Sequence, residues 1–267
     1  MPKYNFPKFQ PCDKYGHCPY LEGCSNNNNL GYYKVEINGM YGYKPCHFRI
    51  EYNEKLKLYN YMKDNGLLSK KEYTFANYNG TASIKSLKRL MDITLDPDEA
   101  LGTNFYIFGP NGTQKTTMVK AMCRRIAETY CPAKKSIVFT SMSILVNALS
   151  DEREYYFHDG DDCFSESIYQ VNKFRNADIL VLDESFDKEK MKAYKSKWNL
   201  DLLDGFIRTR MDDEDKSTFY ISNVNPEMID IELFGPSIRD LIDRDTEKLM
   251  FLDRYNATVP VRQAIIK

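Results

Sequence analysis

The sequence predicts an α/β fold in which helices flank a mostly parallel sheet. Short apolar segments at 105–108, 179–183 and 218–222 have the length and composition of buried strands. Segments with helical spacing of apolar residues lie between them, and this alternation is typical of parallel sheets covered on both faces. A glycine-containing turn joins the first of these strands to a helix predicted over 115–130.

The other elements follow from local patterns. Residues 54–73 have the spacing of a short amphipathic helix that is broken at Asn65-Gly66, because glycine favours a helix end. The segment 136–140 is rich in β-branched and aromatic residues, which indicates a strand. The remaining predicted helices, which have apolar residues three or four positions apart, are 142–149, 168–175 and 198–211.

Length and composition divide the chain into three parts. It has 267 residues, of which 42 % are hydrophobic and 28 % charged, and this is ordinary globular composition. Such a length suffices for one large core domain with a small appendage. We predict a cysteine-rich module at 1–52, a linker with a helix at 53–75, and the main α/β domain at 76–267.

The charge and hydropathy of the sequence limit the classes of partner that the protein is expected to bind. The formal net charge is −1, so nucleic-acid binding would need a local basic patch. No apolar targeting segment follows Met1, and no stretch reaches the roughly 18 apolar residues of a membrane span. We therefore expect a cytoplasmic protein with no membrane partner.

The turn after the first strand has the pattern of a phosphate-binding loop. Glycines allow successive backbone N–H groups to face a phosphate, and the following helix adds the positive end of its dipole. Lys115 would bind the β- and γ-phosphates of ATP, and the Thr116 hydroxyl would bind Mg²⁺. The segment reads Gly109, Pro110, Asn111, Gly112, Thr113, Gln114, Lys115, Thr116, Thr117.

Gln114 departs from this pattern, which usually has glycine before the lysine. A side chain here would either crowd the phosphates or be tolerated if the backbone φ were negative and the amide turned away. The departure leaves the hydrolysis step in question, and an ordinary strand–turn–helix joint is the alternative to a nucleotide site.

Polar residues follow two later strands. Asp183 and Glu184 end an apolar strand, where Asp183 would hold Mg²⁺ and Glu184 would orient the attacking water. Asn223 follows another strand and would hydrogen-bond that water or the γ-phosphate, although Asn-Val-Asn-Pro is also plain turn chemistry.

Arg239 and Arg244 lie near the end of the main domain. Either could be offered to the γ-phosphate of a neighbouring subunit, which would connect hydrolysis to assembly. The alternative is local pairing with Asp240, Asp243 or Asp245.

With these motifs in order, residues 75–255 resemble the AAA+ helicase loaders of the DnaC/DnaI type, with the IstB transposition ATPases as near relatives. The resemblance is carried by Phe108 to Thr117, Ala177 to Glu184, Trp198, Leu203 to Arg210, Thr218 to Asn223 and the arginine pair. It implies Walker roles for Lys115, Thr116, Asp183 and Glu184, a first-sensor role for Asn223, and an arginine finger at Arg244 with Arg239 as alternate.

The resemblance also implies a P-loop AAA+ core without a C-terminal lid domain, and about 23 residues follow Arg244. Such loaders form oligomers or spirals, bind single-stranded DNA, and grip a replicative DnaB-type helicase through an N-terminal region. Two other hypotheses stay open: an IstB-like ATPase that delivers target DNA, and a nucleotide-binding scaffold with little hydrolysis because of Gln114.

Four cysteines near the N-terminus predict a structural zinc site. Thiolates are good Zn²⁺ ligands, and four of them close a tetrahedral site. His17 and His47 lie beside two of the cysteines and could substitute, while unliganded core cysteines are the alternative. The predicted ligands are Cys12, Cys18, Cys24 and Cys46.

Residues 187–197 contain five lysines, two acidic residues and Tyr194. Basic residues with an aromatic side chain suit a track for single-stranded DNA. The alternative is a solvated helix face with local ion pairs. The segment 142–157 corresponds to DNA-gripping helices of the family but is not basic.

Overall fold

The computed structural model describes residues 32–37, 40–45, 47–68, 74, 75, 78, 82–130, 134–157, 165–191 and 197–252. It contains two compact units, Met1–Asp64 and Asn65–Lys267. In the first unit, an antiparallel hairpin of β1 (Tyr32–Ile37) and β2 (Met40–Pro45) is followed by helix α1 (His47–Asp64). The helix ends just before Asn65-Gly66, where the sequence predicts a break, because Gly66 has a positive φ of 70°.

The second unit is built on a five-stranded parallel sheet. The strands are β3 (Asn104–Phe108), β4 (Ile137–Ser141), β5 (Ile179–Asp183), β6 (Ser217–Ser222) and β7 (Thr246–Met250). Their order across the sheet is β4-β5-β6-β3-β7, and every neighbouring pair is parallel. The predicted α/β fold with a parallel sheet is therefore confirmed.

Helices connect and flank the strands, as a parallel sheet requires. They are α2 (Ile84–Leu95), α3 (Lys115–Tyr130), α4 (Met142–Phe157), α5 (Ser165–Asn176), α6 (Lys188–Met191), α7 (Lys197–Met211) and α8 (Ile231–Asp245). Helix α8 is interrupted at Gly235-Pro236, where Gly235 has a φ of 80°. In the part of the chain that the structure describes, no helix is long and apolar enough to cross a bilayer.

The core lies against the central strands. Residues of β3 and β6 are buried throughout, and Phe105 of β3 stacks on Phe219 of β6 with ring centroids 4.5 Å apart. On one face, Phe186, Leu203 and Ile238 belong to a continuous apolar cluster with residues of α4, α5, α7 and α8. Burial of these side chains holds the carboxyl ends of the strands in register.

Arg210 is an unusual core residue, only 2 % exposed. It donates four hydrogen bonds to backbone carbonyls, three of them at the C-terminal end of α5, and one to the Thr218 hydroxyl. The three carbonyls at the end of α5 have no partner among the N–H groups of that helix, so the guanidinium satisfies groups that burial would otherwise leave unpaired. Desolvation by burial lowers the pKa of Arg210 to about 10.

The sequence did not predict five of the strands and helices described above: strands β1, β2 and β7 and helices α2 and α8. Helix α2 is amphipathic and was missed, and α8 is hidden by its internal Gly-Pro break, which interrupts the helical period. Strand β7 lies at one edge of the sheet, and Leu249 is its only buried residue, so it lacks a buried strand's apolar run. Helices α4 and α5 also extend beyond the predicted segments.

Candidate functional site

Strand order brings the predicted motifs to one place. Strand β6 lies between β3 and β5, so the loop after β3 and the residues that end β5 and β6 meet at the carboxyl edge of the sheet. A cavity of about 310 Å³ lies there. It is lined by Asn111, Gly112, Gln114, Lys115, Thr116, Asp183, Glu184, Lys190, Ile221, Ser222 and Asn223.

The loop conformation depends on its glycines. Gly109 has a φ of 153°, and a Cβ placed on it would lie 2.1 Å from the Phe251 carbonyl oxygen. Gly112 has a φ of 81° with open space where a Cβ would lie. The Thr113 hydroxyl donates to the Pro110 carbonyl at 2.9 Å and closes the turn. Glycine is therefore required by close approach at 109 and by backbone conformation at 112.

Gln114 adopts a left-handed backbone conformation, with a φ of 63°. The possibility that a negative φ accommodates this residue is therefore wrong. The left-handed region is costly for a residue with a Cβ, and glycine adopts it without that cost. Gln114 is half-buried and lines the cavity, so its side chain adds bulk at the place where the motif normally has none.

Lys115 opens helix α3 and points into the loop. It is 5 % exposed, and its ammonium donates to the carbonyls of Gly109 at 2.7 Å and Pro110 at 2.9 Å. It also donates to Asn223 Oδ1 at 2.9 Å, which joins the ends of β3 and β6. Desolvation by burial lowers the pKa of Lys115 to about 8, and the charge of Asp183 opposes this shift.

Thr116 and Asp183 form a pair of hard oxygen donors. The Thr116 hydroxyl donates to Asp183 Oδ1 at 3.1 Å. Burial raises the pKa of Asp183, while hydrogen bonds from the Glu184 N–H and the Thr116 hydroxyl oppose the rise. A carboxylate and a hydroxyl at this separation fit the preference of Mg²⁺ for oxygen ligands.

Glu184 stands on a tight turn after β5, with a φ of 57°. The Ser185 N–H donates to the Ile221 carbonyl at 2.8 Å, and the Ser222 hydroxyl donates to the Ser185 carbonyl at 2.6 Å. These bonds fix the turn to β6, so Glu184 and Asn223 project into one cavity. The Glu184 side chain is exposed and makes an ion pair with Lys190.

Arg239 and Arg244 lie on α8 and do not line this cavity. Arg244 is exposed and donates to Asp245 at 2.9 and 2.8 Å, and Asp243 pairs with Lys248 at 2.9 Å. Within one chain, Arg244 is thus paired locally with Asp245. A role toward a neighbouring subunit stays a prediction for both arginines.

Lys190 was not singled out individually by the sequence, although it belongs to the basic segment. Its neighbour Lys188 pairs with Asp230 at 2.5 Å. Both lysines are therefore held by carboxylates of the same chain. The segment 192–196, including Tyr194, lies outside the described residues, and the DNA track stays a prediction.

The predicted zinc ligands Cys12, Cys18, Cys24 and Cys46 also lie outside the described residues, as does His17. Among the residues that are described, no cluster of three or more potential ligands forms a metal site. The zinc site remains a prediction.

No family model matches the chain, and no curated protein matches it. Among solved structures, the DnaC helicase loader is similar, with a TM-score of 0.51 and 17 % identity over 67 % of this chain and 96 % of that chain. Domain III of the Thermotoga maritima replication initiation protein DnaA also has a TM-score of 0.51, with 13 % identity over 67 % of this chain and 66 % of that one.

The replication initiator DnaA bound to AMPPCP and single-stranded DNA is matched with a TM-score of 0.47 and 14 % identity, over 69 % of this chain. The match spans about half of that DnaA, 51 % of its length. At such identities the likeness concerns the fold. The α/β unit has the fold of the DnaC helicase loader and of DnaA domain III, which confirms the resemblance to helicase loaders at that level.

Proposed function

We propose that this protein binds ATP with Mg²⁺, hydrolyses it, and acts as a helicase loader in the initiation of DNA replication. The observation that carries the ATPase proposal is the convergence of Lys115, Thr116, Asp183, Glu184 and Asn223 on one cavity. A strand–loop–helix joint alone would not require two carboxylates and an amide from two other strands to face the loop lysine.

Each residue has a role that its position supports. The loop N–H groups and the Lys115 ammonium hold the phosphates, and Thr116 and Asp183 hold Mg²⁺, which neutralises charge on the phosphate oxygens when bound. Glu184 orients a water molecule for attack on the γ-phosphorus, and the products are ADP and inorganic phosphate. The amide Nδ2 of Asn223 would donate to the γ-phosphate or to that water, whereas its Oδ1 accepts from Lys115 in the structure.

The loader role rests on similarity of fold rather than on a DNA or helicase contact. The likeness to DnaC extends over 96 % of that chain. In this proposal the cysteine-rich N-terminal module grips a DnaB-type replicative helicase, subunits assemble around single-stranded DNA, and Arg244 or Arg239 completes the site of a neighbouring subunit. Association with a replicative helicase, measured by co-purification of the two full-length proteins, is required by this role.

A second function is favoured by Gln114. A half-buried side chain in a left-handed conformation at the phosphates supports a scaffold that binds nucleotide but hydrolyses it poorly. Such a protein would recruit a partner without turnover. The substitution Gln114→Gly should then create hydrolysis that the parent lacks.

ATP turnover by wild type, Lys115→Ala and Glu184→Gln separates these functions. An active ATPase requires Mg²⁺-dependent turnover that both substitutions abolish, with nucleotide binding lost in the first and retained in the second. Nucleotide binding without turnover would support the scaffold. If neither binding nor turnover depends on Lys115, the nucleotide site itself is refuted.

The DNA dependence of turnover tests the loader against the IstB-like alternative. Stimulation or inhibition by short single strands supports the loader. A preference for long duplex DNA with filament formation would support target-DNA delivery instead. An Arg244→Ala variant should lose DNA-dependent turnover while retaining ATP binding if this arginine acts in a neighbouring subunit.

A further inference from the structure

The ion pair between Lys190 and Glu184 brings an ammonium group into contact with a carboxylate. The proposed ATPase needs this carboxylate to activate water. Lys190 Nζ contacts Glu184 Oε1, and both side chains are 45 % exposed. Lys190 also lines the nucleotide cavity, whereas the motif residues come from the loop and from the ends of β5 and β6. It is therefore a charged cavity residue to which the motifs assign no role.

The local structure holds Lys190 in this position. Asp187 Oδ1 accepts from the N–H groups of Glu189 at 3.0 Å and Lys190 at 3.3 Å, which caps the short helix α6. On the same turn, Lys188 pairs with Asp230 at 2.5 Å, and Asp230 in turn caps α8. The turn that carries Lys190 is thus fixed at two points besides the ion pair.

The backbone of Glu184 is held by hydrogen bonds, whereas its side chain can rotate. Its N–H donates to Asp183 Oδ1 at 2.9 Å, and the following Ser185 is bonded to β6. The carboxylate can leave Lys190 only by side-chain rotation. Removing the lysine charge would consequently free the carboxylate without displacing the backbone that carries it.

We propose that Lys190 is a positioning residue that restrains the Glu184 carboxylate and so lowers the basal rate of ATP hydrolysis. The inference rests on the proposed ATPase function of the same site. A carboxylate oxygen bonded to an ammonium is a poorer acceptor for the attacking water, and its negative charge is offset. Hydrolysis then requires that the Glu184 side chain rotate away from Lys190.

The exposure of the pair sets the size of the effect. Ion pairs this accessible to solvent are weak and shift an equilibrium by at most about fivefold. Lys190 therefore shifts the conformational equilibrium of the Glu184 carboxylate only moderately. The shift has to be moderate, because the carboxylate must leave Lys190 in every catalytic cycle. Salt weakens such pairs, because exposed charges are screened.

The test compares the full-length wild type with Lys190→Met, which keeps the aliphatic stem, and Lys190→Arg, which keeps the charge. We expect kcat at saturating ATP and Mg²⁺ to rise about two- to fivefold in Lys190→Met, with KM little changed, and to stay at the wild-type value in Lys190→Arg. Lys88→Met, which removes an exposed lysine charge on α2, is the matched control and should leave kcat unchanged. High salt should raise the wild-type kcat toward that of Lys190→Met.

A second readout does not depend on turnover. The side-chain ammonium resonance of Lys190 in a ¹⁵N-lysine-labelled protein, assigned by its loss in Lys190→Met, should shift when Glu184 is replaced by Gln. A resonance that does not respond would overturn the inference, as would a lower or unchanged kcat in Lys190→Met. A raised KM with a lowered kcat would also overturn it, because that result indicates a phosphate ligand.

The same measurements distinguish a failure of the proposed ATPase function from a failure of the proposed Lys190 restraint. Turnover that depends on Lys115 but is not raised by Lys190→Met refutes the restraint and leaves the ATPase intact. If neither the wild type nor Lys190→Met turns over ATP, the ATPase proposal is refuted, and a Lys190 ammonium resonance that does not respond to Glu184→Gln separately refutes the pairing.

Discussion

Replacing Gln114 by glycine is expected to stabilise the protein in the absence of nucleotide. The residue has a φ of 63°, a conformation that costs an L-residue about 1–2 kcal/mol relative to the right-handed region. Glycine avoids this cost but loses more backbone entropy on folding, about 0.5–1 kcal/mol. The net gain should be about 0.5–1 kcal/mol, or about 1–4 °C in the melting temperature of a unit of this size.

Two variants separate backbone strain from side-chain contacts. Gln114→Ala keeps the Cβ and the strained φ but removes the amide, so it should not stabilise the protein. Gly112→Ala is the reverse experiment, because Gly112 has a φ of 81° and a Cβ there would meet no atom within 4 Å. It should destabilise by about 1 kcal/mol through conformation alone.

Thermal and urea unfolding of the four proteins without nucleotide give the comparison. The reasoning is refuted if Gln114→Gly lowers the melting temperature or leaves it unchanged while Gly112→Ala lowers it. That result would mean that contacts of the Gln114 side chain outweigh the backbone strain. Gln114→Ala would then be the least stable variant at this position.

Further variants test other parts of the unit. Gly109→Ala should lower the free energy of unfolding in urea by at least about 2 kcal/mol, because its Cβ would lie 2.1 Å from a backbone carbonyl oxygen. Gly205→Ala is the control: its Cβ would meet no atom within 4 Å, so the substitution should be neutral or stabilising. Arg210→Met should lose about 3 kcal/mol or more, because it leaves buried carbonyls unpaired, and a loss below about 1 kcal/mol would contradict that role. Since the pKa of Lys115 is about 8, the free protein loses the ammonium charge above this pH, and its affinity for ATP should fall there. The affinity of Lys115→Arg should not fall over the same range. A wild-type Kd that is unchanged between about pH 7 and 9.5 would refute the role of the ammonium charge.

Several features of the site were predictable because their causes are local. The phosphate loop follows from glycine positions and a lysine at a helix start, and Asp183-Glu184 follows from an apolar run that ends in acids. The parallel sheet follows from strand–helix alternation, since such strands need crossover connections. The strand Ile179–Asp183 has the predicted bounds.

Other features depended on interactions that the linear pattern does not encode. The edge strand β7 has no apolar run because only part of it is covered, and the Gly235-Pro236 break conceals α8. Arg210 lies on the apolar face of α7 with Leu203 and Ile207, a position that predicts burial for a hydrophobic residue but gives no hint of carbonyl partners.

Local sequence patterns are sufficient to predict the type of sheet, the phosphate loop and the order of the polar residues along the chain. The position of β6 between β3 and β5 depends instead on tertiary packing, and it brings Asn223 to 2.9 Å from Lys115 across 108 positions of sequence. The positive φ of Gln114 and the pairing of Lys190 with Glu184 likewise depend on the folded unit. Periodicity and turn chemistry act over a few residues, whereas strand order and side-chain partners are selected by packing of the whole unit.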